Sequence, residues 1–240
     1  TAFYTAVINK NGEITSLTDK STGYELAGGK LNMFRLYENV NGAYDAWELS
    51  SMYEDGEVKM TGKTDFSARR MGNKVLITVK RLEKYFKTEQ IISFDAESPL
   101  IDFKTKIDWH ERHRILKIDF PTSIFTREVI SEIQFGYIRR PTHRSRLYEQ
   151  GLYELCQHRY SAMTDGENGL ALINDCKYGL SAHDGRMSLT ALRAPVYPDG
   201  NADQGEHVFG YALLPFSGPF GKSNVARAAY EYNILPTGEI

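Results

Sequence analysis

The sequence predicts an all-β protein, a large antiparallel β-sandwich with one short helix near its C-terminal end. Three observations indicate this class. Apolar and polar residues alternate in several short segments, Asn-Gly and Asp-Gly pairs separate such segments, and a single stretch has helical periodicity. The chain has 240 residues, of which 41% are hydrophobic, so it can bury a sizeable core.

The first half of the chain contains the clearest strands. Residues 2–8 form the first predicted strand, and the Asn11-Gly12 pair that follows supplies the positive φ angles of a tight hairpin. VLITV, at 75–79, is rich in the β-branched residues that fit a pleated surface. In IDFKTKIDW, at 101–109, every second residue is apolar or threonine and the others are charged, which predicts a strand with one face in water.

The second half adds strands and the helix. LKIDF, at 116–120, alternates in the same way, and Asp184-Gly185 predicts a second hairpin, between GLSAH and RMSLTAL. A short helix is predicted near the C-terminal end, where Ser223 and Asn224 are possible N-caps. Its apolar residues recur at i, i+3, i+4 and i+7: Val225, Ala228, Ala229 and Tyr232.

The chain is predicted to form one domain. It contains no repeat of fixed period and no low-complexity linker, so residues 1–235 are predicted to be a single β-sandwich domain and residues 236–240 a tail. The first residue is Thr1 and a strand pattern follows at once. We therefore expect the chain to be excised from a longer polypeptide.

Composition excludes several classes of function. Lysine and arginine total 29 against 31 acidic residues, and a net charge of −2 gives no attraction to nucleic acid or acidic membranes. No apolar run approaches the roughly twenty residues of a bilayer span, and no signal peptide is recognisable, which predicts a soluble, cytoplasmic protein. Cys156 and Cys176 lack a CxxC arrangement and are predicted to be reduced, half-buried strand residues.

Several polar clusters are candidates for catalytic or metal sites. HERH, at 110–113, lacks the HExxH spacing of a zinc site and is predicted to be a polar connection between two strands. Acid pairs such as Asp19 with Glu25, or Asp199 with Asp203, could supply the two carboxylates of a glycosidase, but acidic residues are too common to prove it. The sequence has neither a GxSxG elbow nor a phosphate-binding glycine loop.

Two polar segments suit a ligand site. NGAYDAWELSS, at 41–51, places Tyr44 and Trp47 in a predicted loop, where aromatic rings could stack on sugars. For Trp47, burial in the core of the sandwich is the favoured alternative. LRAPVYPDGNADQGEH, at 192–207, is a long polar loop of the kind that rigid strands position for binding, although its composition alone also suits a surface excursion.

Seven segments, read in order, resemble the C-terminal β-domain of the glycoside hydrolase family 38 α-mannosidases, particularly the bacterial and cytosolic branch. Together they extend over nearly the whole chain. They are NGEITSLTDKSTGYEL (11–26), YDAW (44–47), FGYIRRPTH (135–143), YELCQHRY (153–160), LALINDCKYGL (170–180), LRAPVYPD (192–199) and DQGEHVFGYALLP (203–215).

This resemblance implies a galactose-mutarotase-like supersandwich within an enzyme that hydrolyses terminal α-mannosides with retention. Such an enzyme uses two carboxylates about 5 Å apart and, in this family, a zinc ion that holds sugar hydroxyls. The family's nucleophile and zinc ligands belong to an N-terminal domain. The resemblance therefore implies that this chain lacks catalytic and metal-binding residues, and that its partners are that catalytic domain and the α-mannoside.

The resemblance also implies particular site residues. In this family a tyrosine of the loop that matches GAYDAW reaches the substrate, and Tyr44 occupies that position. Asp203 and Gln204 in ADQGEH are expected either to approach the sugar or to fix their loop. GYIRRPTHRSR is expected to be a connection in which Arg139, Arg140 and His143 pair with acids at the interface with the catalytic domain.

Two other classes of function remain open. The chain could be a free-standing carbohydrate-binding module, or a structural domain that mediates subunit contacts, including those of a possible homo-oligomer. The sequence upstream of Thr1 distinguishes these hypotheses. A His-x-Asp zinc signature there supports the enzyme, whereas a start codon just before Thr1 contradicts it.

Overall fold

A computed structural model describes residues 1–39 and 42–234 as three antiparallel sheets. The smallest is a hairpin of β1 (Tyr4–Ile8) and β2 (Ile14–Asp19). A six-stranded sheet has the spatial order β12-β15-β16-β9-β3-β4. Its strands are β3 (Met33–Glu38), β4 (Glu57–Val58), β9 (Arg114–Pro121), β12 (Leu155–Cys156), β15 (Gly179–His183) and β16 (Arg186–Leu192).

The largest sheet has nine strands, in the spatial order β11-β10-β13-β14-β17-β8-β7-β6-β5. Its strands are β5 (Lys63–Met71), β6 (Lys74–Leu82), β7 (Phe86–Asp95), β8 (Ile101–Trp109), β10 (Glu128–Ile133), β11 (Gly136–Pro141), β13 (Tyr160–Thr164), β14 (Asn168–Asn174) and β17 (Gly205–Ser217). Two helices, α1 (Leu147–Gln150) and α2 (Val225–Asn233), and two 3₁₀ turns, Tyr53–Gly56 and Phe220–Lys222, complete the described structure.

The hairpin predictions are confirmed. Gly12, between β1 and β2, has a φ of 73°, and Asp184 and Gly185, between β15 and β16, have φ angles of 51° and 74°. The Asp184-Gly185 turn has two residues, as such left-handed conformations suit, whereas five residues, 9–13, connect β1 to β2 and only Gly12 of the Asn11-Gly12 pair has a positive φ. β8 also has the predicted alternation, because Ile101, Phe103, Thr105, Ile107 and Trp109 are all buried while the intervening side chains are not.

The core lies between the facing surfaces of the two large sheets. Trp109, Phe103, Phe120 and Tyr211 are fully buried there, and the rings of Phe103 and Tyr211 stack with centroids 4.9 Å apart. Such aromatic pairs add to the free energy gained by burying their area. The alternating pattern of the sequence therefore produces one extensive apolar layer.

A buried polar triangle crosses this core. Asn32 Nδ2 donates to Gln90 Oε1 at 2.7 Å, Gln90 Nε2 donates to the Tyr211 hydroxyl at 2.6 Å, and that hydroxyl donates to Asn32 Oδ1 at 2.6 Å. All three side chains are buried, so each group needs a partner to offset its lost hydration. The triangle links the residue before β3 to β7 and β17.

LKIDF differs from the predicted strand because both of its faces are buried. Lys117 and Asp119 of β9 are 1% and 0% exposed. Lys117 Nζ donates to Glu154 at 2.8 Å, and Asp119 pairs with Arg35 and Arg186 at 3.3 and 3.2 Å. The outer face of the six-stranded sheet is thus a buried polar network.

The helix predictions are confirmed in position but not in every detail. α2 lies where expected, and Val225, Ala228 and Ala229 are buried against the nine-stranded sheet. Asn224 is the N-cap residue, but its side chain makes no capping hydrogen bond. The four-residue α1 has no apolar periodicity that could have predicted it. The predicted tail, residues 236–240, lies outside the described residues.

GYIRRPTHRSR is not simply a connection, because residues 136–141 form β11 at one edge of the nine-stranded sheet. Arg139 pairs with Glu128 at 3.2 Å and His143 with Glu149 at 3.2 Å, so both find acids within the chain itself. Arg140 donates to the carbonyl of Cys156 at 3.0 Å, and its pairing with an acid at the interface with the catalytic domain stays a prediction.

The predicted half-burial of the two cysteines is wrong. Cys156 and Cys176 are both free, but both are exposed. Cys156 belongs to the short edge strand β12, whereas Cys176 lies in the turn between β14 and β15. Neither position is half-buried within the sandwich, because Cys156 is on an edge strand and Cys176 is in a connection between the two large sheets.

Candidate functional site

Three connections meet at one end of the six-stranded sheet. β3 and β16 lie on either side of β9 and are antiparallel to it, so both end beside the start of β9. Residues 42–48 follow β3, residues 193–204 follow β16, and residues 110–113 precede β9. Segments that are distant in sequence are therefore brought together by strand pairing.

Asp45 joins all three connections. It is 3% exposed, and its Oδ2 and Oδ1 atoms accept hydrogen bonds from the backbone amides of Val196 and Tyr197, each at 2.9 Å. His113 Nδ1 lies 3.4 Å from Asp45 Oδ2. A buried carboxylate satisfied in this way fixes the backbone that surrounds it.

Arg193 makes the reciprocal contact from the other loop. Its guanidinium donates to the carbonyls of Asp45 at 2.6 Å and Ala46 at 3.4 Å, and also to that of Glu48. Residues 44–48 form a turn, which is closed by hydrogen bonds from the amides of Trp47 and Glu48 to the Tyr44 carbonyl, at 3.0 and 2.9 Å. The two loops are therefore held together in both directions.

Burial and the neighbouring groups shift the pKa values of Asp45 and Arg193. Burial acts to raise the pKa of Asp45, but the amides of Val196 and Tyr197, together with His113, outweigh it and keep the pKa below its usual range. Burial lowers the pKa of Arg193, against the opposing effect of nearby carboxylates that include Glu154 and Asp45. The lowered pKa leaves Asp45 ionised near neutral pH.

Three exposed aromatic side chains, here called the aromatic cluster, project from these loops: Tyr44, Trp47 and Tyr197. Their ring centroids are 6.2 Å apart for Tyr44 and Trp47, 5.8 Å for Tyr44 and Tyr197, and 6.0 Å for Trp47 and Tyr197. Tyr44 is 54%, Trp47 66% and Tyr197 49% exposed. The expectation that Trp47 fills the core is therefore wrong; Trp109 is the tryptophan in the core.

Asp203 and Gln204 hold the second loop in place. Asp203 Oδ2 accepts hydrogen bonds from the amides of Arg193 at 3.1 Å and Ala194 at 3.0 Å. Gln204 Nε2 donates to the carbonyl of Glu111 at 2.7 Å. These contacts correspond to the loop-fixing alternative for both residues, and they connect the loop to the start of β9.

The sequence indicates Tyr44 but not the three residues that complete the arrangement. Asp45 and Arg193 are charged residues in loops, and such residues are ordinarily solvated. Tyr197 lies in LRAPVYPD, a segment that carries the family resemblance without an assigned role. Their importance follows from the pairing of two distant loops, for which a single sequence contains no direct signal.

The other candidate centres have structural explanations. HERH connects β8 to β9 as predicted. Asp19 Oδ1 accepts the amides of Ser21 and Thr22 in a turn, and Asp199 Oδ1 accepts the amide of Asn201. Within residues 1–39 and 42–234, no group of three or more His, Cys, Asp and Glu side chains could hold a metal ion. The described residues therefore do not fit a zinc site.

Comparison with known proteins identifies the family. Residues 1–201 match the model of the glycosyl hydrolases family 38 C-terminal domain, and the chain belongs to this family. Alpha-mannosidase 2C1 of Mus musculus is 34% identical over 233 residues, which cover 94% of this chain and 22% of that protein. The chain thus spans about a fifth of the length of this curated relative.

Solved structures support the fold. An α-mannosidase from Enterococcus faecalis V583 superposes with a TM-score of 0.78 at 17% identity, covering 97% of this chain and 30% of that one. A putative aldose 1-epimerase from Klebsiella pneumoniae gives a TM-score of 0.50 at 10% identity, covering 95% and 79% of the two chains. The predicted sandwich, including its likeness to mutarotases, is confirmed.

None of the helices found within residues 1–39 and 42–234 combines the length and the apolar character that a bilayer crossing requires.

Proposed function

We propose that this chain is the non-catalytic β-domain of a retaining α-mannosidase and that it contributes one wall of the mannose pocket. Tyr44 forms that wall. The observation that carries the proposal is the position of Tyr44, exposed on a loop that Asp45 and Arg193 fix from both sides. Family membership and the α-mannosidase relatives supply the substrate class.

In this proposal Asp203 and Gln204 act on the substrate indirectly, as positioning residues. Asp203 holds the start of the loop that carries Tyr197, at the amides of Arg193 and Ala194. Gln204 ties the end of that loop to the carbonyl of Glu111. A rigid loop loses little conformational entropy when a sugar binds.

The proposal assigns the remaining functions to other parts of the protein. The two catalytic carboxylates and the zinc ion belong to an N-terminal catalytic domain of the complete protein. That domain packs against the β-domain described here. Residues 1–235 form one domain, and the protein can form homo-oligomers. Its location is the cytoplasm, and two free cysteines support this because disulfides persist mainly in oxidising compartments.

Substitution of Tyr44 tests the proposal in the complete protein. We expect Tyr44→Phe to weaken transition-state binding by roughly 1 to 3 kcal/mol, because a hydrogen bond from the hydroxyl to the sugar is lost. The measurement is kcat/KM for p-nitrophenyl α-mannoside.

Tyr230→Phe is the matched control. Tyr230 is 50% exposed, similar to Tyr44, but it lies on α2, outside the site loops. Its variant should have the kcat/KM of the unmodified protein. An unchanged kcat/KM in Tyr44→Phe would remove Tyr44 from the pocket.

A further inference from the structure

We infer that Trp47 and Tyr197 bind the sugar ring on the leaving-group side of the glycoside whose terminal mannose contacts Tyr44. This inference rests on the proposed function and extends the site from one sugar to two. It concerns the two members of the aromatic cluster for which the family resemblance implies no role.

Both side chains are presented to solvent by a fixed backbone. The amide of Tyr197 donates to Asp45 Oδ1 at 2.9 Å, and the amide of Trp47 donates to the Tyr44 carbonyl at 3.0 Å. Trp47 is nevertheless 66% and Tyr197 49% exposed. Large aromatic rings held in fixed positions with so much surface in water are characteristic of binding sites.

The spacing of the cluster suits two sugar rings. Trp47 and Tyr197 lie 6.2 and 5.8 Å from Tyr44 and 6.0 Å from each other, so the three centroids form a nearly equilateral triangle. Each distance between two ring centroids is comparable with the length of one pyranose ring. When Tyr44 contacts the terminal mannose, the other two rings meet the adjoining residue of the substrate.

The chemistry of these rings matches a second sugar. A pyranose has an apolar face of C–H groups that packs on an aromatic ring, and the Tyr197 hydroxyl and the Trp47 indole N–H can bond to sugar hydroxyls. These contacts require no charge on the sugar. Trp47 is the most exposed of the three and offers the largest contact area.

Comparison of two substrate types tests the inference in the complete protein. A panel of α-linked mannose disaccharides has a second ring, whereas α-mannosyl fluoride has none. For Trp47→Ala and Tyr197→Ala, we expect the ratio of kcat/KM for the best disaccharide to kcat/KM for the fluoride to fall roughly 3- to 10-fold. Trp47→Phe, which keeps a flat ring, should recover part of the lost ratio.

The outcomes separate this inference from the proposed function. If Tyr44→Phe lowers kcat/KM while the ratio is unchanged in Trp47→Ala and Tyr197→Ala, the second-ring contact is refuted and the pocket wall stands. Equal losses on both substrates in Trp47→Ala also refute it. If none of these variants, Tyr44→Phe included, alters kcat/KM on either substrate, both proposals fail. Tyr230→Ala is the control and should leave the ratio unchanged.

Discussion

Asp45 stabilises the site in its charged form only, because its oxygens accept hydrogen bonds from two amides. Its lowered pKa means that the stabilisation is complete above the ordinary aspartate pKa of about 3.9 and is lost as the pH falls through the lower pKa of the folded state. We expect Asp45→Asn to reduce the free energy of unfolding at pH 7 by roughly 1 to 3 kcal/mol. Urea denaturation at several pH values from neutral to acidic measures it.

The measurements at acidic pH distinguish a contribution of the Asp45 charge from one of packing. The difference between the unmodified protein and Asp45→Asn should shrink below about pH 4, because the aspartate then becomes protonated as well. Asp65→Asn, on the exposed edge strand β5, is the control and should have little effect at any pH. A difference that does not vary with pH would show that Asp45 contributes through packing rather than charge.

For individual residues, the sequence predicts fewer members of the candidate site than the structure contains. Tyr44 can be singled out because an aromatic residue in a polar loop is unusual and because its segment resembles a known family. The buried carboxylate beside it cannot, because its burial depends on amides of residues 196 and 197 that strand pairing brings to it. The expectation that Trp47 lies in the core rests on residue type alone, and residue type does not specify which way a loop faces.

Individual strands are predictable when only one face is buried. β8 contacts the core on one side and solvent on the other, so its sequence alternates as its structure does. β9 has the same alternation, but the ion pairs of Lys117 and Asp119 allow its polar face to be buried too. The partners of these charges lie on β3, β16 and the segment around Glu154, and a local pattern cannot reveal them.

The turn between β15 and β16 is an element whose sequence requirement can be measured. Gly185 has a φ of 74°, and a Cβ atom there would lie 3.2 Å from the Thr122 carbonyl oxygen. We expect Gly185→Ala to lower the free energy of unfolding by about 1 to 2 kcal/mol, because an L-residue is strained in the left-handed region. Urea denaturation provides the measurement.

A second glycine provides the comparison for this turn. Gly136 begins β11 and lacks a positive φ, and a Cβ atom added there would have no neighbouring atom within 4 Å. Gly136→Ala should therefore cost little, and it separates backbone strain from the general effect of replacing glycine. Equal losses of stability in both variants would contradict the turn argument.

For the whole molecule, we expect this chain alone to be inactive as a glycosidase. Its acidic pairs Asp19 with Glu25 and Asp199 with Asp203 take part in turn and loop contacts, and its described residues offer no metal cluster. The purified 240-residue chain should not cleave p-nitrophenyl α-mannoside, with or without added zinc. Zinc-dependent turnover would show that a hydrolytic centre exists within these residues and would overturn the proposed division of roles.

The aromatic cluster combines two loops that are far apart in the sequence, so its parts are synthesised at different times. Tyr44 and Trp47 leave the ribosome before Tyr197 and the amides that hold Asp45, which emerge only after β16. Until then Tyr44 and Trp47 lack the second loop, whose Tyr197 packs on both rings and whose Arg193 holds their turn. The aromatic cluster can therefore assemble during translation only after its second loop has emerged, when β17 of the nine-stranded sheet is still to follow.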